Sequence, residues 1–498
     1  MSARDVIFAV LAIVACFLFA ALGLWGGFSI GYTISAIFTN ILFTIYFIGK
    51  EHKISVFGVI CEIIALLLAV NFAITTNGSV KFWSFAFGII LSVVWFDLLA
   101  TGRKEIGDLG LVKNVVMSTV GTAVPNMPRA VASVFTYGKG KHKTAAKIII
   151  GAACAIPALC VIIPLLAKGD AAFGGLVKRL FGNVGITLVQ LFVTGIIAPF
   201  AIAYIIALKK EKPEEFGEES EKSLDRAFVI PFLSMISVCY ILYIFSQFAY
   251  FFSAFAGILP AGYKFVVSEY ARRGFFEMCV ITAINLIIIF AALLVSKKKN
   301  GVADLATRIL CLFIGLVTLT IAATALSKMV LYVKSFGMTG LRITTSAFEI
   351  FLIVVVLATI VRCFTKHSPV LRIALVTAGV ILAVLGFANV NRIVADYNYN
   401  AYKSGKLEGI DVDTIADMGD EGVPYLIKLA DDADEVVAEA AKIYLNNMIL
   451  ERYDDEAEGA VHYYKGFKEF NFPRNRAYKL LDEYIKENGI KPKDLYWL

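Results

Sequence analysis

Long apolar segments recur along most of this chain, and they constrain its fold more than any other feature. A helix that crosses the ~30 Å hydrocarbon core of a bilayer needs roughly 20 apolar residues, with its backbone polar groups paired internally. Eleven segments approach or meet that length: 6–23, 28–48, 54–75, 82–100, 146–166, 184–208, 227–256, 274–295, 309–333, 347–361 and 373–393. The sequence therefore predicts an all-α, polytopic membrane protein. The tenth segment is short and the seventh is long, which predicts tilt or extension beyond the bilayer.

Charge divides the chain into two regions. Residues 395–498 hold 22 acidic and 13 basic side chains, a net charge of −9, whereas residues 1–394 carry a net charge of +16. This contrast predicts a multi-pass membrane domain at 1–394 and a small, soluble, acidic helical domain at 395–498.

Lysine and arginine side chains predict the orientation, because they are enriched in cytoplasmic loops. With the N-terminus in the cytoplasm, the loops at 101–145, 209–226, 296–308 and 362–372 are cytoplasmic, and they are the basic ones. An odd number of spans then places residues 395–498 on the outer side of the membrane.

The loop at 101–145 is long for a connector. Its segments 109–124 and 128–137 mix apolar residues with the isolated charges of Lys113 and Arg129. Two short helices on the cytoplasmic membrane surface fit this pattern, and so does a solvated loop.

Helical patterning continues in the acidic region. Residues 395–408 are expected to extend the last span as a short polar helix. Beyond them, Pro424 lies near the start of one predicted helix and Asp434 is a predicted N-cap of the next. This pair resembles a single HEAT-type repeat, which cannot bury its own apolar face and must pack on helix 474–488 or on the membrane domain. An all-helical outer cap and a docking module for an envelope partner are the two interpretations.

Charged residues are concentrated at the start of the eighth predicted span. In a helix, Glu269, Arg273 and Glu277 lie one turn apart along one side, with Arg272 adjacent, and Asn285 lies two turns further in near the same side. An arginine fork can engage two carboxylates or hold an anion. Glu277 is only about 5 Å into the span, so an ion-pair network that anchors the helix at the outer interface is the alternative.

The seventh predicted span carries a polar and aromatic stripe. Tyr240, Tyr243, Gln247 and Tyr250 recur along one helix face. Lipid does not stabilise such a face, so it is expected to contact other helices or a cavity. Hydrogen bonds between helices and a substrate path both fit.

Two acidic residues fall inside earlier predicted spans. Glu62 is the ninth residue of the third span, about 12 Å from its start. It is a candidate proton or cation site, or a neutral acid that donates a hydrogen bond to a neighbouring helix. Asp97 lies close to the inner end of the fourth span and is expected to be solvated.

Motifs of catalysis are absent from the sequence. It contains no HExxH, no GxSxG and no acidic metal pair at catalytic spacing. Its four histidines lie in polar loops or the acidic region, and its eight cysteines show no paired metal spacing. We therefore expect no metal, no cofactor, no catalytic residue and no nucleic-acid partner; the predicted partner is the lipid bilayer.

The favoured function is non-enzymatic: a polar intramembrane cluster that serves solute, lipid or ion transport or envelope sensing. The alternatives are a scaffold whose outer helices bind an envelope partner, and a lipid-modifying membrane enzyme.

Three segments resemble an integral membrane family of bacteria that is catalogued as a domain of unknown function, in the 4153/4173 group. The first is SEYARRGFFEM at 268–278, and the third is FKEFNFPRNRAYKLL at 467–481. The second, at 389–426, shares the pair Tyr397-Asn398 and Pro424 with the family, but has Ile415 and Met418 where the family more often has leucine. The resemblance implies a bacterial plasma membrane and no known activity.

Overall fold

The structure is a computed structural model that describes most of the chain. The described residues are 3–48, 54–102, 108–127, 184–210, 225–255, 267–296, 298–299, 302–365, 369–457, 466–491 and 495, with isolated positions between 162 and 175. They form two compact units. The N-terminal unit comprises Met1–Glu215, Ile449–Lys479 and Pro492–Leu498, and the C-terminal unit comprises Phe216–Met448 and Leu480–Lys491.

Helices dominate the described residues of both units. The first helices are α1 (Ala3–Leu18, continued by a π-helix at Phe19–Leu24), α2 (Ile30–Phe47), α3 (Val56–Ile74), α4 (Gly78–Thr101), α5 (Asp108–Val116, continued by a π-helix at Met117–Ala123) and α6 (Val184–Lys210). They are followed by α7 (Arg226–Phe255), α8 (Val267–Val295), the short antiparallel strands β1 (Lys298–Lys299) and β2 (Val302–Ala303), α9 (Leu305–Phe336), α10 (Gly340–Phe364) and α11 (Val370–Phe387). The last elements are α12 (Val390–Lys403), α13 (Val412–Ala416), α14 (Val423–Leu429), α15 (Glu435–Ala457) and α16 (Phe472–Glu487), with single 3₁₀ turns at Gly419–Glu421 and Phe467–Glu469.

Ten helices among the described residues are long and apolar enough to cross a membrane, which confirms the polytopic, all-α fold. The expected short tenth span is wrong, because α10 has 25 residues. The seventh is long as predicted, with 30 residues in α7. The predicted span at 146–166 and the surface segment at 128–137 lie almost entirely outside the described residues. The surface segment at 109–124 is helical, and it exposes Val112 and Val120.

The N-terminal unit has a core at each end of its helices. At one end, the start of α1 meets the ends of α2, α4 and α6 through Phe8, Phe47, Leu99 and Leu208. At the opposite end, the start of α2 meets the end of α3, where the rings of Tyr32 and Phe72 lie 4.0 Å apart. The helices of this unit therefore have defined directions, and α6 runs toward the same end as α2 and α4.

The segment before α16 is fixed to the second of these ends. Asn471 is 1% exposed, and its side-chain amide donates to the carbonyls of Phe72 and Thr75 at the end of α3, at 3.1 and 3.0 Å. The Ile30 amide donates to the Phe470 carbonyl at 3.1 Å. A Cβ on Gly31 would lie 2.8 Å from the Lys468 carbonyl oxygen, so this close approach of two backbones requires glycine.

The C-terminal unit contains the apolar helices α7 to α11. One of its cores joins the start of α7, the end of α8, the start of α9 and the end of α10 through Leu233, Ile289, Ile314 and Cys363. Asp304 caps α9 by accepting from the Thr307 amide, as expected for an aspartate N-cap.

The chain turns sharply after α11. The expected continuation of the last span through residues 395–408 is wrong, because Asn389 adopts a left-handed conformation (φ 55°) and a new helix, α12, starts at Val390. The side chain of Asn398, on α12, binds the turn between α9 and α10. Its Nδ2 donates to the Met338 carbonyl at 2.8 Å, and its Oδ1 accepts from the Met338 amide at 2.7 Å. Gly337, with φ 75°, provides the left-handed backbone that this turn requires.

The predicted helix pair is present as α14 and α15, and Asp434 accepts from the Val436 amide as its predicted capping role requires. The first helix of the pair, α14, packs against α12, where the Tyr425 hydroxyl donates to Asp396 at 2.8 Å. Lys403 pairs with Asp432 at 2.6 Å. Burial acts to raise the pKa of Asp432, but hydrogen bonds from Lys403 and the Asp434 amide outweigh it and leave the pKa below its usual value.

Candidate functional site

A chain of polar side chains crosses three helices inside the C-terminal unit. The Tyr240 hydroxyl of α7 donates to Asn285 Oδ1 of α8 at 2.5 Å. Asn285 Nδ2 in turn donates to Thr318 Oγ1 of α9 at 3.0 Å, and the Thr318 hydroxyl donates to the Ile314 carbonyl at 2.6 Å. Asn285 and Thr318 are both 0% exposed. Because buried polar groups need partners, this series of hydrogen bonds fixes how the three helices pack.

A buried carboxyl group lies on the fourth helix, α10. Glu349 is 0% exposed and is the tenth residue of α10, about 13 Å from the start of that helix. It hydrogen-bonds with the Cys279 thiol, and its Oε1 lies 3.4 Å from the Thr282 hydroxyl. Its other oxygen, Oε2, has no hydrogen-bond partner among the described residues.

Helix α8 connects the two groups of contacts. Cys279, Thr282 and Asn285 follow one another at intervals of three residues, so each side chain is rotated slightly around α8 relative to the one before. As a result, Cys279 and Thr282 face α10, whereas Asn285 faces α7 and α9. Apolar side chains such as Phe275 and Ile289 are buried on the same side of α8. We call Tyr240, Cys279, Thr282, Asn285, Thr318 and Glu349 the polar cluster.

Only part of the predicted site is brought together. Tyr240 and Asn285 are directly hydrogen-bonded, and half-buried Tyr243 packs beside the core around Phe275. Glu277 is exposed, whereas Asn285 is fully buried, so these two side chains do not meet. Glu277 instead lies within electrostatic range of the Lys328 ammonium of α9.

The other predicted members of this site are not described. The backbone at Glu269, Arg272 and Arg273 is helical within α8, and that at Gln247 and Tyr250 is helical within α7. Their side chains lie outside what the structure describes. The arginine–carboxylate pairing therefore stays a prediction.

The two acids of the N-terminal unit have different environments. Glu62 is half-buried, about 9 Å from the start of α3, and its Oε2 has no hydrogen-bond partner among the described residues. Both interpretations of this residue therefore remain open. The expected solvation of Asp97 is wrong: it is 0% exposed, because the helix ends around it pack through Trp95 and Phe96.

Comparison with known protein families identifies the family of this chain. A family model described as "Domain of unknown function (DUF4153)" matches residues 63–429, which is most of the chain. The chain belongs to this family. No curated protein matches it, and no solved structure does either.

The DUF4153 match covers every residue of the polar cluster as well as Asn398. It ends before the segment at 467–481 that resembles the closing motif of the family, and it starts one residue after Glu62. Among the described residues of this family member, no group of three histidine, cysteine or acidic side chains could hold a metal ion.

Sequence reasoning missed Glu349 and its partners on α8. The tenth span was predicted to start at 347, which put Glu349 near the interface, whereas α10 starts at Gly340. The polar residues in its first turns, such as Thr344 and Ser346, lowered the local hydropathy although they donate to backbone carbonyls within the helix. Thr339, which caps α10 by accepting from the Arg342 amide, was the available signal for the earlier start.

Proposed function

We propose that this DUF4153 protein is a non-enzymatic, multi-pass membrane protein that transports an ion, and that Glu349 is its proton-binding group. The observation that carries this proposal is a fully buried carboxyl group inside an apolar helix bundle, with one oxygen that no described residue satisfies. Ionisable groups inside spans are costly, and they commonly mark ion paths and proton relays.

The contacts of Glu349 indicate that its carboxyl group is neutralised by a bound proton and not by a neighbouring positive charge. The described side chains that hydrogen-bond to its carboxyl group are Cys279 and Thr282, and neither carries a positive charge. An ionised carboxylate without a counter-charge is very costly in a low-dielectric interior. The Thr282 hydroxyl has one proton, and its closer acceptor is the Met278 carbonyl at 2.9 Å, so its oxygen can accept the proton of a carboxylic acid.

The two parts of the polar cluster have different roles in this proposal. The Tyr240–Asn285–Thr318 chain pairs its polar groups from helix to helix, which supports a packing role. Glu349 retains an unsatisfied oxygen, which native structures avoid unless the group has a further role or an additional partner.

Proton flux into liposomes tests the proposal. We expect vesicles that contain the purified protein to acidify under a potassium diffusion potential, read by a trapped pH-sensitive dye. Glu349→Gln removes the proton-binding oxygen and is expected to lower the rate about tenfold or more. Glu277→Gln is the matched control, because Glu277 lies on α8 and is exposed, and it is expected to retain the rate.

Flux no greater than in protein-free vesicles would contradict ion transport. Equal flux in the wild type and in Glu349→Gln would contradict the role of this residue, provided that both proteins elute as one folded species. A conformational response to pH that occurs without flux would instead favour the sensing alternative.

We also propose that the N-terminus is cytoplasmic and that residues 395–498 are extracytoplasmic. In the N-terminal unit, α4 and α6 finish at the same end of the unit, which is the arrangement that an odd number of spans between them would produce. This supports the predicted span at 146–166, which stays a prediction. Asn471 docks at the end opposite to the start of α1, as an odd total requires. The basic loops then supply the absolute orientation.

Reporter fusions test the orientation. Alkaline phosphatase attached after residue 498 is expected to be active in a bacterial host, because it folds only outside the cytoplasm, and green fluorescent protein at that position is expected to stay dark. Alkaline phosphatase inserted in the predicted cytoplasmic loop at 209–226 is expected to be inactive. The reverse pattern would contradict the orientation. The envelope partner predicted for residues 395–498 stays a prediction.

A further inference from the structure

The C-terminal unit contains a cavity that the proposed ion path does not use. Its volume is about 600 Å³, and it lies where the end of α9, the start of α10 and the end of α11 meet beside α12. That volume is within the usual range of pockets for small amphiphilic ligands. Glu349 does not line it, so it is a separate site.

Most of the cavity wall is apolar. Met329, Ile343, Val380 and Leu385 are among the side chains that line it. The wall follows α10 from Arg342 to Ile350, and the rise between these two residues is about 12 Å. One leaflet contributes roughly 15 Å of the hydrocarbon core. The cavity therefore extends through most of the depth of one leaflet, as an acyl chain does.

Two cationic side chains lie at the end of the cavity that is nearest α12. Lys334 is exposed in the last turn of α9, and Arg342 is in the first turn of α10. Arg342 Nη1 donates to the carbonyls of Phe336 and Gly337, and its guanidinium lies 4.2 Å from the centre of the Tyr332 ring. Guanidinium has five N–H donors in a fixed fork. No described residue accepts from Nε or Nη2 of Arg342, so these donors can bind an anion.

The surroundings complete an amphiphilic site. The hydroxyl-bearing side chains of Ser346 and Tyr397 also line the cavity, and no acidic side chain is among the described residues that do so. Val330 and Val384, which line the cavity on α9 and α11, are 55% and 58% exposed. On membrane helices such exposed valines contact lipid, so the cavity is accessible from the bilayer.

We infer that this cavity binds an anionic phospholipid of the leaflet on the side of α12, with an acyl chain along α10 and the phosphate between Lys334 and Arg342. The apolar wall matches the chain in depth, and the two cations match the negative charge of the headgroup. Surface lysine and arginine side chains attract anionic lipid additively, and an arginine fork binds phosphate oxygens in a defined geometry.

Lipid binding to the delipidated, full-length protein tests this inference. Native mass spectrometry in detergent would compare phosphatidylglycerol with phosphatidylcholine of the same acyl chains. We expect phosphatidylglycerol to bind roughly fivefold or more tightly, and Lys334→Ala to reduce that preference by roughly fivefold. Lys406→Ala is the matched control, because Lys406 is exposed near the end of α12 and does not line the cavity. It is expected to leave the preference unchanged.

A second pair of variants tests the acyl-chain site without changing charge. Ala347→Phe fills the cavity and is expected to weaken the binding of both lipids about tenfold. Leu341→Phe, at a position of α10 that is 64% exposed and outside the lining, is expected to change neither. Equal binding of the two lipids, or unchanged binding in Ala347→Phe, would overturn the inference. Binding of a polyprenyl phosphate with exclusion of phosphatidylglycerol would also overturn the assigned ligand.

Discussion

Replacing Asn471 by alanine is expected to lower the free energy of unfolding of the N-terminal unit by about 4 kcal/mol. The side chain is 1% exposed and donates to the carbonyls of Phe72 and Thr75. Each buried carbonyl that loses its donor costs about 1–3 kcal/mol. The same residue accepts from the Arg474 amide at the start of α16, and loss of such a cap typically costs ~1 kcal/mol.

Tryptophan fluorescence provides a selective measurement of this effect. All four tryptophans, at 25, 83, 95 and 497, belong to the N-terminal unit. Denaturant titration in detergent is expected to show a lower midpoint in Asn471→Ala with an unchanged slope. Asn475→Ala is the matched control, because Asn475 lies one turn further along α16 and is exposed; its midpoint is expected to match the wild type. A wild-type midpoint in Asn471→Ala would show that the docking contributes no stability.

Replacing Asn398 by aspartate is expected to destabilise the C-terminal unit by about 3 kcal/mol. The substitution keeps the shape of the side chain but removes its N–H donor, so a carboxylate oxygen would face the Met338 carbonyl. Asn398 is 6% exposed, which leaves little water to screen that repulsion. The Met338 amide keeps its acceptor, so the substitution removes only one of the two hydrogen bonds between these residues.

Thiol reactivity measures this second effect, since no tryptophan belongs to the C-terminal unit. Cys311 and Cys363 are both 0% exposed, and maleimide labelling of these thiols reports opening of the unit. Labelling is expected to be about 100-fold faster in Asn398→Asp if opening is at equilibrium. Asn400→Asp, two residues away and exposed, is expected to label at the wild-type rate. Equal rates in all three proteins would show that the Asn398 contact is dispensable.

Composition predicted the fold class well, because a bilayer leaves few solutions for the backbone. Boundaries were less predictable where a span starts with polar residues. Ser and Thr in the first turns of α10 satisfy their hydroxyls within the helix, so they cost less in a membrane than hydropathy suggests. The late predicted start of this helix concealed Glu349, the residue on which the proposed function rests.

The candidate site was predictable only as separate helix faces. The sequence placed Tyr240 and Asn285 on polar stripes, but the rotation of α8 decides whether Asn285 meets Glu277 or Tyr240. That rotation is set by packing partners on α9 and α10, such as Thr318 and Glu349, which lie 33 and 67 residues from their contacts on α8. Likewise, nothing local to Asn471 indicates that its partners lie near the end of α3.

The docking of Asn471 also has a consequence for biosynthesis. Asn471 and the Phe72 carbonyl are 399 residues apart in sequence, and translation at ~5–20 residues per second separates their appearance by roughly 20–80 s. During that interval the end of α3 lacks its contact with Asn471, so the packing of the N-terminal unit is incomplete. A nascent chain that stops before Asn471 cannot form this contact, so its Phe72 and Thr75 carbonyls lack these donors.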